Sequence, residues 1–514
     1  SLNPNQFDYG KYLNNKSIFG QIYTNANSIK VSDKIDKNIW YYSDRLRNNI
    51  VANLQNNNFS KNELQVVNAL ILGQQQDISP ETLKEYQYAG AIHVLSVSGL
   101  HVGFILLFIT FLLKPIGNSR RGSLLKLFII VLSLWAFAIL AGLSPSIVRS
   151  ATMFSFIAIG IHLRRTVNIY HTLLVSMLLI LLFKPSFLFD VGFQLSYTAV
   201  FGIIWVQPVL YQLWKSNFFI VDKGWQLITV SVAAQLGVLP ISLFYFHQFP
   251  GLFFISNLII IPFLGVILGL GLVVLVLSYM SILPLFLEGF YGDVISILNN
   301  VVAFVARQEK FLFSEISFSV IKMIFFYLFI ILGFQLFLKF NTKRCFLFLG
   351  SILAFQCVFI IEKYTIAQKS ELIVFHKSKN TIIGKRKGSS FEVYHSMDSL
   401  QISSQKLLIN YKVGENISSQ NYLKLSNLMY YKKQVVLIID KDGLYDIKEL
   451  NSPIVVLRQS PKINLQRLAE KLKPAIIIAD GSNYKSYIEN WKTTCKNFKI
   501  PFWTTYNQGA YILN

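Results

Sequence analysis

The chain has 514 residues, 53% of them hydrophobic and only 14% charged, with a mean hydropathy of +0.46. That balance excludes an ordinary soluble enzyme of this length, and several apolar runs of about 18 or more residues indicate a polytopic membrane protein. The net charge of +22 leaves three readings open: positive-inside loops, contact with anionic lipid, or handling of a polyanion such as nucleic acid. Cys345, Cys357 and Cys495 are too few for a disulfide framework or a cysteine-rich metal site.

The chain opens at Ser1 with no methionine, signal peptide or leading apolar anchor, and is expected to lack its natural N-terminus. Residues 1–90 are mainly polar. Leu46, Ile50 and Leu54 share a helical face, and an apolar pattern over 64–72 stops at Gly73, so 36–90 is expected to be an amphipathic helical linker. From 91 to 361 the chain is almost all apolar. Spans are expected at 92–113, 125–142, 146–162, 170–183, 189–211, 225–246, 252–280, 283–305, 319–338 and 344–361. The fourth is short and the eighth amphipathic, so the expectation is eight to ten crossings. Lys114, Arg120, Arg121 and Lys126, then Arg164 and Arg165, Lys215 and Lys223, and Lys339, Lys343 and Arg344 fall on one side of ten such spans. That side is expected to be cytoplasmic, which leaves both flanking regions outside the cytoplasm. Residues 362–514 read as a soluble α/β domain with 23 basic and 12 acidic residues. Strands are expected at 372–375, 435–439, 454–457 and 476–478, and helices at 465–472 and 484–498.

Polar groups inside an apolar span are costly unless they face protein or a water-filled path. His93, Ser96, Ser98 and His101 surround Gly99 where the first span begins, and Gly99 suits a close backbone approach or an unwound turn. Packed core histidines remain the alternative. Arg149 follows Ser144-Pro145-Ser146 at the start of the third span; it either snorkels to the interface or faces a path, where it would suit phosphate. Asp190, Gln194 and Tyr197, with Ser196 beside them, fall at i, i+4 and i+7 and form one polar stripe if helical. An Arg149–Asp190 pair is the expected partner for the buried carboxylate. Gln235 and Asn257, near Pro240 and Pro262, complete the set. The glycine-rich stretch 265–271 reads as close helix packing, and the chain has no Walker A motif with which to power transport.

Four of these segments resemble the ComEC family of DNA-uptake channels. They are His-x4-Ser-Gly-Leu-His at His93–His101, Ser-x-x-Arg at Ser146–Arg149, Phe-Asp-x-Gly-Phe-Gln-Leu-Ser at Phe189–Ser196, and the group at Gln235, Pro240, Asn257 and Pro262. Asn3-Pro4-Asn5-Gln6-Phe7-Asp8-Tyr9 resembles the segment that closes the family's small N-terminal β-domain, which makes 1–35 the expected tail of an OB-like domain. The resemblance implies a channel for single-stranded DNA in the bacterial cytoplasmic membrane during natural transformation, with no cofactor. Implied partners are membrane lipid, an external DNA receptor, and a cytoplasmic ATP-dependent motor or single-strand-binding proteins; a homo-oligomer stays open. The implied path carries His93, Ser96, Ser98, Gly99, His101, Arg149, Asp190, Gln194, Ser196, Tyr197, Gln235 and Asn257.

In that family the C-terminal domain often resembles a metallo-β-lactamase-type nuclease with a His-x-His-x-Asp-His metal motif. Here 362–514 holds only His376 and His395, and Arg458 and Gln459 stand where the family has histidines. The resemblance therefore implies a degenerate metallo-β-lactamase-like domain that has lost its metal and is not an enzyme. Arg458, Lys462 and Lys485 are its expected DNA contacts. Two other readings are a small-solute permease using the intramembrane His, Asp and Gln residues, and a membrane-bound metal-dependent hydrolase or nuclease.

Overall fold

The structure is a computed structural model that describes residues 1–30, 36–57, 59–117, 119–166, 168–445, 447, 450 and 452–514. The chain forms two compact units. One is Asn15–Ser314 with Gly333–Asn341; the other joins Ser1–Asn14 to Glu315–Leu332 and Thr342–Asn514. Of the expected OB-like tail, 31–35 lie outside the described residues. The remainder holds helix α1 (Tyr9–Asn15) and a single 3-10 turn.

The helical unit begins with α2 (Ile39–Gln55), which Asn38 caps by accepting the Tyr41 N–H. Next comes α3 (Lys61–Leu72), opened by a reciprocal Ser60–Glu63 capping box and closed by Gly73 at φ 71°. After α4 (Pro80–Tyr88) come α5 (Ile92–Leu95), α6 (Gly99–Leu112), α7 (Arg120–Leu140), α8 (Pro145–His162) and α9 (Ile169–Phe183). These lead to α10 (Val191–Gln212), α11 (Phe219–Phe246), α12 (Phe253–Tyr279) and α13 (Leu285–Ala306). A two-residue ribbon pairs β1 (Phe249–Pro250) with β2 (Leu312–Phe313).

Helices α2, α3 and α4, within the stretch 36–90, belong to this unit. Every residue of α3 from Gln65 to Leu72 is buried. Leu70, Tyr86, Ile267, Tyr291 and Ile295 join α3, α4, α12 and α13 in one apolar core. Glycine sets the spacing of α10 against α11: a Cβ on Gly202 would stand 2.5 Å from the Ala233 carbonyl oxygen and 3.1 Å from Gly237 Cα. Small residues that let helix backbones approach are the usual adhesive where lipid competes for apolar side chains.

Two more long helices follow, α14 (Val320–Leu338) and α15 (Thr342–Gln368). Among the described residues, seven helices are long and apolar enough to cross a membrane: α7 and α10–α15. Shorter apolar helices are α6 and α9. The ten expected spans all coincide with helices, except that the first is broken at Ser96–Ser98 into α5 and α6. Phe128, Leu182, Phe183, Phe263 and Phe346 are exposed, as side chains in contact with lipid would be. Lys322 on α14 pairs with Glu362 on α15 at 2.6 Å, and Ser319 also bonds that carboxylate.

The remainder is a helix–sheet–sheet–helix sandwich. Its elements are β3 (Ser370–Val374), β4 (Ile382–Lys387), β5 (Ser390–His395), α16 (Ser399–Ile402), α17 (Lys406–Gly414), β6 (Ser419–Lys424), β7 (Leu428–Tyr431) and β8 (Gln434–Ile439). They continue with β9 (Ile454–Leu457), α18 (Leu465–Leu472), β10 (Ile476–Ala479), α19 (Lys485–Asn497), β11 (Phe502–Thr504), α20 (Thr505–Gln508) and β12 (Tyr511–Leu513). The first sheet has the order β12-β3-β4-β5-β6 and the second β11-β10-β9-β8-β7. Alternation sorts the side chains: Val436, Ile438, Val456 and Ile478 meet Leu372, Val374 and Ile383 between the sheets. Leu437, Ile439, Val455 and Leu457 point the other way, onto Leu468 of α18 and Trp491 of α19. The outer face of the first sheet is covered by Leu408 and Tyr411 of α17. Burial of β8–β10 on both faces accounts for their unbroken apolar runs.

The first residues of the chain are part of this unit. The Leu2 carbonyl accepts the Ala510 N–H, and Asn3 exchanges two hydrogen bonds with the His376 backbone. Asn5 donates to Glu415.

Candidate functional site

Within the helical unit the polar side chains gather where α6, α8, α9 and α10 meet. The break between α5 and α6 is a local solution to an unsatisfied helix end. Ser98 is the N-cap of α6, and its N–H donates 3.1 Å to Nδ1 of His101, which also lies 3.1 Å from the Ser98 hydroxyl. Because Nδ1 accepts that N–H, a ring proton is left to Nε2, which is buried with no hydrogen-bond partner. Gln75 of the preceding loop donates to the Ser96 hydroxyl at 2.7 Å and to the Leu95 carbonyl at 3.1 Å, bracing the break from the other side. Nothing in the local sequence pattern singles out Gln75.

Gly99 is required by what lies opposite. A Cβ there would come within 2.9 Å of both Arg149 Nη2 and Ser150 Oγ. Arg149 is 6% exposed. Its Nε donates to Ser196 Oγ at 2.7 Å, Nη1 reaches Met153 Sδ at 3.4 Å, and the guanidinium carbon lies 5.8 Å from the centre of the Tyr197 ring. Tyr197 is held in turn by the Ser176 hydroxyl of α9 at 3.0 Å. Ser150, Thr152 and Ser155 on the same buried face of α8 satisfy themselves by bonding carbonyls one turn back. Arg149 therefore does not snorkel.

The expected Arg149–Asp190 pair does not form. Asp190 is extended (φ −83°, ψ 125°) and caps α10 by accepting the Phe193 N–H, so the positive end of the helix takes the carboxylate. Among the described residues no carboxylate lies within ion-pair distance of Arg149. The i, i+4, i+7 stripe also separates: Gln194 bonds the Leu188 carbonyl and the Tyr245 hydroxyl, while Tyr197 turns inward. His93 and Ser96 are exposed, and no hydrogen bond joins His93 to His101. Asn257 is buried with an unpartnered Oδ1. Gln235, on α11, stands outside the Arg149 group.

At the C-terminal edge of the parallel strands in the sandwich a second polar group assembles. Asp480 follows β10 and is fully buried. It accepts from Thr381 at 2.5 Å, from the Ser482 hydroxyl and N–H at 2.6 and 3.0 Å, and from Asn483 at 3.0 Å. Burial pushes its carboxyl up, and these donors oppose the shift. His376 Nδ1 lies 3.1 Å from Thr505 Oγ1. His395 is buried on β5 with Nδ1 3.0 Å from the Met397 carbonyl. Arg458 follows β9, and Lys485 opens α19 with its ammonium 4.6 Å from the Tyr506 ring centre. Lys462 is exposed on the loop after β9. The metal of the resembled family does not fit this donor set: a guanidinium cannot ligate, and among the described residues no three His, Cys, Asp or Glu gather as a metal-binding group.

Comparison with known proteins agrees with both units. The family model described as Competence protein matches residues 70–340, and that described as ComEC C-terminal domain matches 372–514. ComE operon protein 3 of Bacillus subtilis (strain 168) is 30% identical over 311 residues, which is 60% of this chain and 38% of that protein. The chain thus spans well under half the length of this curated relative. No solved structure matches it.

Proposed function

Because the chain belongs to the ComEC family of competence proteins, we propose that it is a channel carrying single-stranded DNA across the bacterial cytoplasmic membrane during natural transformation. The observation that carries this reading is Arg149: a guanidinium inside the helical unit whose partners are a hydroxyl, a thioether and an aromatic face, none of them anionic. An uncompensated charge in a membrane interior is costly to retain. A guanidinium is also the side chain whose planar fork best matches phosphate oxygens.

On this reading Arg149, with Ser196 and Tyr197, attracts successive phosphates, and Gly99 and His101 hold the α5–α6 break that lets α6 approach. His93, Ser96, Asp190, Gln194, Gln235 and Asn257 belong to the surrounding path. The flanking regions lie outside the cytoplasm, where an external receptor delivers DNA; a cytoplasmic ATP-dependent motor or single-strand-binding proteins draw the strand in. The C-terminal domain binds rather than cleaves DNA.

The test is entry of labelled DNA into a nuclease-protected pool in cells whose only copy of this protein is wild type, Arg149→Gln, Arg149→Lys or His101→Ala, at equal membrane abundance. We expect Arg149→Gln to lose the protected pool with surface binding intact, and Arg149→Lys to keep part of it. Normal entry in Arg149→Gln removes the arginine from the path. Normal entry without the protein removes the channel.

A further inference from the structure

Arg458 is 9% exposed, yet its guanidinium makes no hydrogen bond to any described residue, and its Nε is sealed from solvent without a partner. The buried guanidinium of Arg386 in the same unit is treated differently: it donates to Glu371, Glu415 and the Gly388 carbonyl. Asp480 supplies Arg458 with Coulombic attraction only, since its oxygens already accept from Thr381, Ser482 and Asn483. A charge so placed is expensive unless something anionic and planar-matched completes it.

The surroundings are built for an anion. The backbone after Arg458 is tied to the loop after β10, with the Gln459 N–H on Ser482 and the Ser460 N–H on Asn483. The Ser460 hydroxyl accepts the N–H of Tyr484, the N-cap of α19. This places Arg458 on the loop that buttresses the start of a 13-residue helix whose N-terminus has no side-chain cap, and such an end carries free N–H groups and partial positive charge. Lys485 adds a full charge at the first position. A second orphan, Oγ1 of Thr504, is buried at the end of neighbouring β11. Tyr484, 71% exposed, and Tyr506, 46% exposed, offer aromatic surface beside these cations. Ligands of α/β sheets commonly sit outside the carboxyl ends of parallel strands.

We propose that Arg458, Lys485 and the N-terminus of α19 form a metal-free binding site for a backbone phosphate of single-stranded nucleic acid, with Tyr484 as a stacking surface for the adjoining base. The choice of nucleic acid over another phosphate rests on the function proposed above; the phosphate site itself rests on Arg458. Flanking tyrosines favour a strand with unpaired bases, because base–aromatic stacking is indifferent to sequence.

The experiment uses the full chain purified in dodecyl maltoside, which carries no phosphate. Anisotropy of a fluorescent oligothymidylate of about eight nucleotides reports binding to wild type, Arg458→Gln, Arg458→Lys, Lys485→Gln and Lys496→Gln. Lys496 lies in the last turn of α19 and serves as the charge-matched control. We expect Arg458→Gln to weaken binding about tenfold or more, Arg458→Lys less, and Lys496→Gln by no more than about twofold. Loss of Arg458 lowers the salt slope by about 0.7. Inorganic phosphate at millimolar concentration raises the unfolding temperature of wild type but not of Arg458→Gln, a readout that stands if the oligonucleotide arm fails. Equal effects of Arg458→Gln and Lys496→Gln overturn the site in favour of diffuse charge. Phosphate protection through Arg458 with no Arg458-dependent oligonucleotide binding overturns the nucleic-acid strand as its ligand. Should Arg458→Gln fail to fold, Arg458→Lys and Lys485→Gln decide between the same outcomes.

Discussion

Replacing Arg386 by leucine should destabilise the sandwich by about 3–5 kcal/mol, the usual consequence of removing one partner of a buried ion pair. Arg386 is wholly buried. Nη1 donates to Glu371 at 3.0 Å and to Glu415 at 2.5 Å, Nη2 donates to the Glu415 carbonyl at 3.2 Å, and Nε donates to the Gly388 carbonyl at 2.9 Å. Without it, Glu371, itself 3% exposed, retains the Tyr411 hydroxyl and Lys369 at 3.4 Å as its partners. With a urea dependence of about 2 kcal/mol per molar, the unfolding midpoint falls by about 2 M. Pulse proteolysis of the full chain across a urea series, following cleavage within 370–514, measures it. Glu415 adds a pH signature. Burial opposes its ionisation, but hydrogen bonds from Lys369, Asn5 and Arg386 outweigh burial and hold it down at about 2, against an ordinary 4.5. A carboxyl with a lowered folded pKa stabilises above its unfolded value, and that contribution, about 3 kcal/mol, drains away as pH falls from 4.5 towards 2. In Arg386→Leu the acid transition should therefore move to higher pH. Replacing Glu371 as well, in Arg386→Leu/Glu371→Leu, should recover part of the loss, because it removes the stranded charge. A midpoint for Arg386→Leu within about 0.3 M of wild type would refute this account of the network.

Three further outcomes follow from close contacts. Gly202→Val places a branched side chain where even a Cβ meets the Ala233 carbonyl at 2.5 Å; α10 and α11 should splay, at a cost of about 1–3 kcal/mol, seen as a lower unfolding temperature in detergent. Gly99→Ala should displace Arg149 and Ser150, each 2.9 Å from the new methyl, and reduce DNA entry while leaving membrane abundance near normal; unchanged entry would show that α6 and α8 can separate freely. The Cys495 thiol is 2% exposed and pushed up to about 11 by burial. It should resist maleimide at pH 8 until the sandwich unfolds, which mass spectrometry of the labelled peptide reads directly.

What could be read from the chain depended on whether neighbours or distant partners decide the outcome. Strands β8, β9 and β10 are legible because burial on both faces demands unbroken apolar runs. By contrast β4 ends in Lys385-Arg386-Lys387 and looks like a basic turn; only the carboxylates of Glu371 and Glu415, far along the chain, make Arg386 an interior residue. Hydropathy draws the first span as continuous, although Gly99 already suited a close backbone approach or an unwound turn. Its break at Ser96–Ser98 depends on the His101 imidazole returning to the Ser98 N–H and on Gln75 bracing the turn. Arg149 was legible as a special residue, but its partner was not: Asp190 had a nearer use at the end of α10, and Ser196 took the guanidinium instead. Likewise Asp480 hides in an ordinary Asp-Gly-Ser turn, and its four donors come from three separate residues.

The hydrogen bonds that fasten Leu2, Asn3 and Asn5 to the sandwich impose parity on the chain between them. Two segments clasped to one another occupy the same face of a bilayer, so the intervening polypeptide must cross it an even number of times. The seven long apolar helices found among the described residues make an odd number, and α6 with α9 bring it to nine. An even count is reached at eight, when one of α6, α8 and α9 crosses, or at ten, when all three do. Hydropathy passes over α8 because its buried face carries Arg149, Ser150, Thr152 and Ser155. Ten crossings would include the helix whose sequence argues for it least.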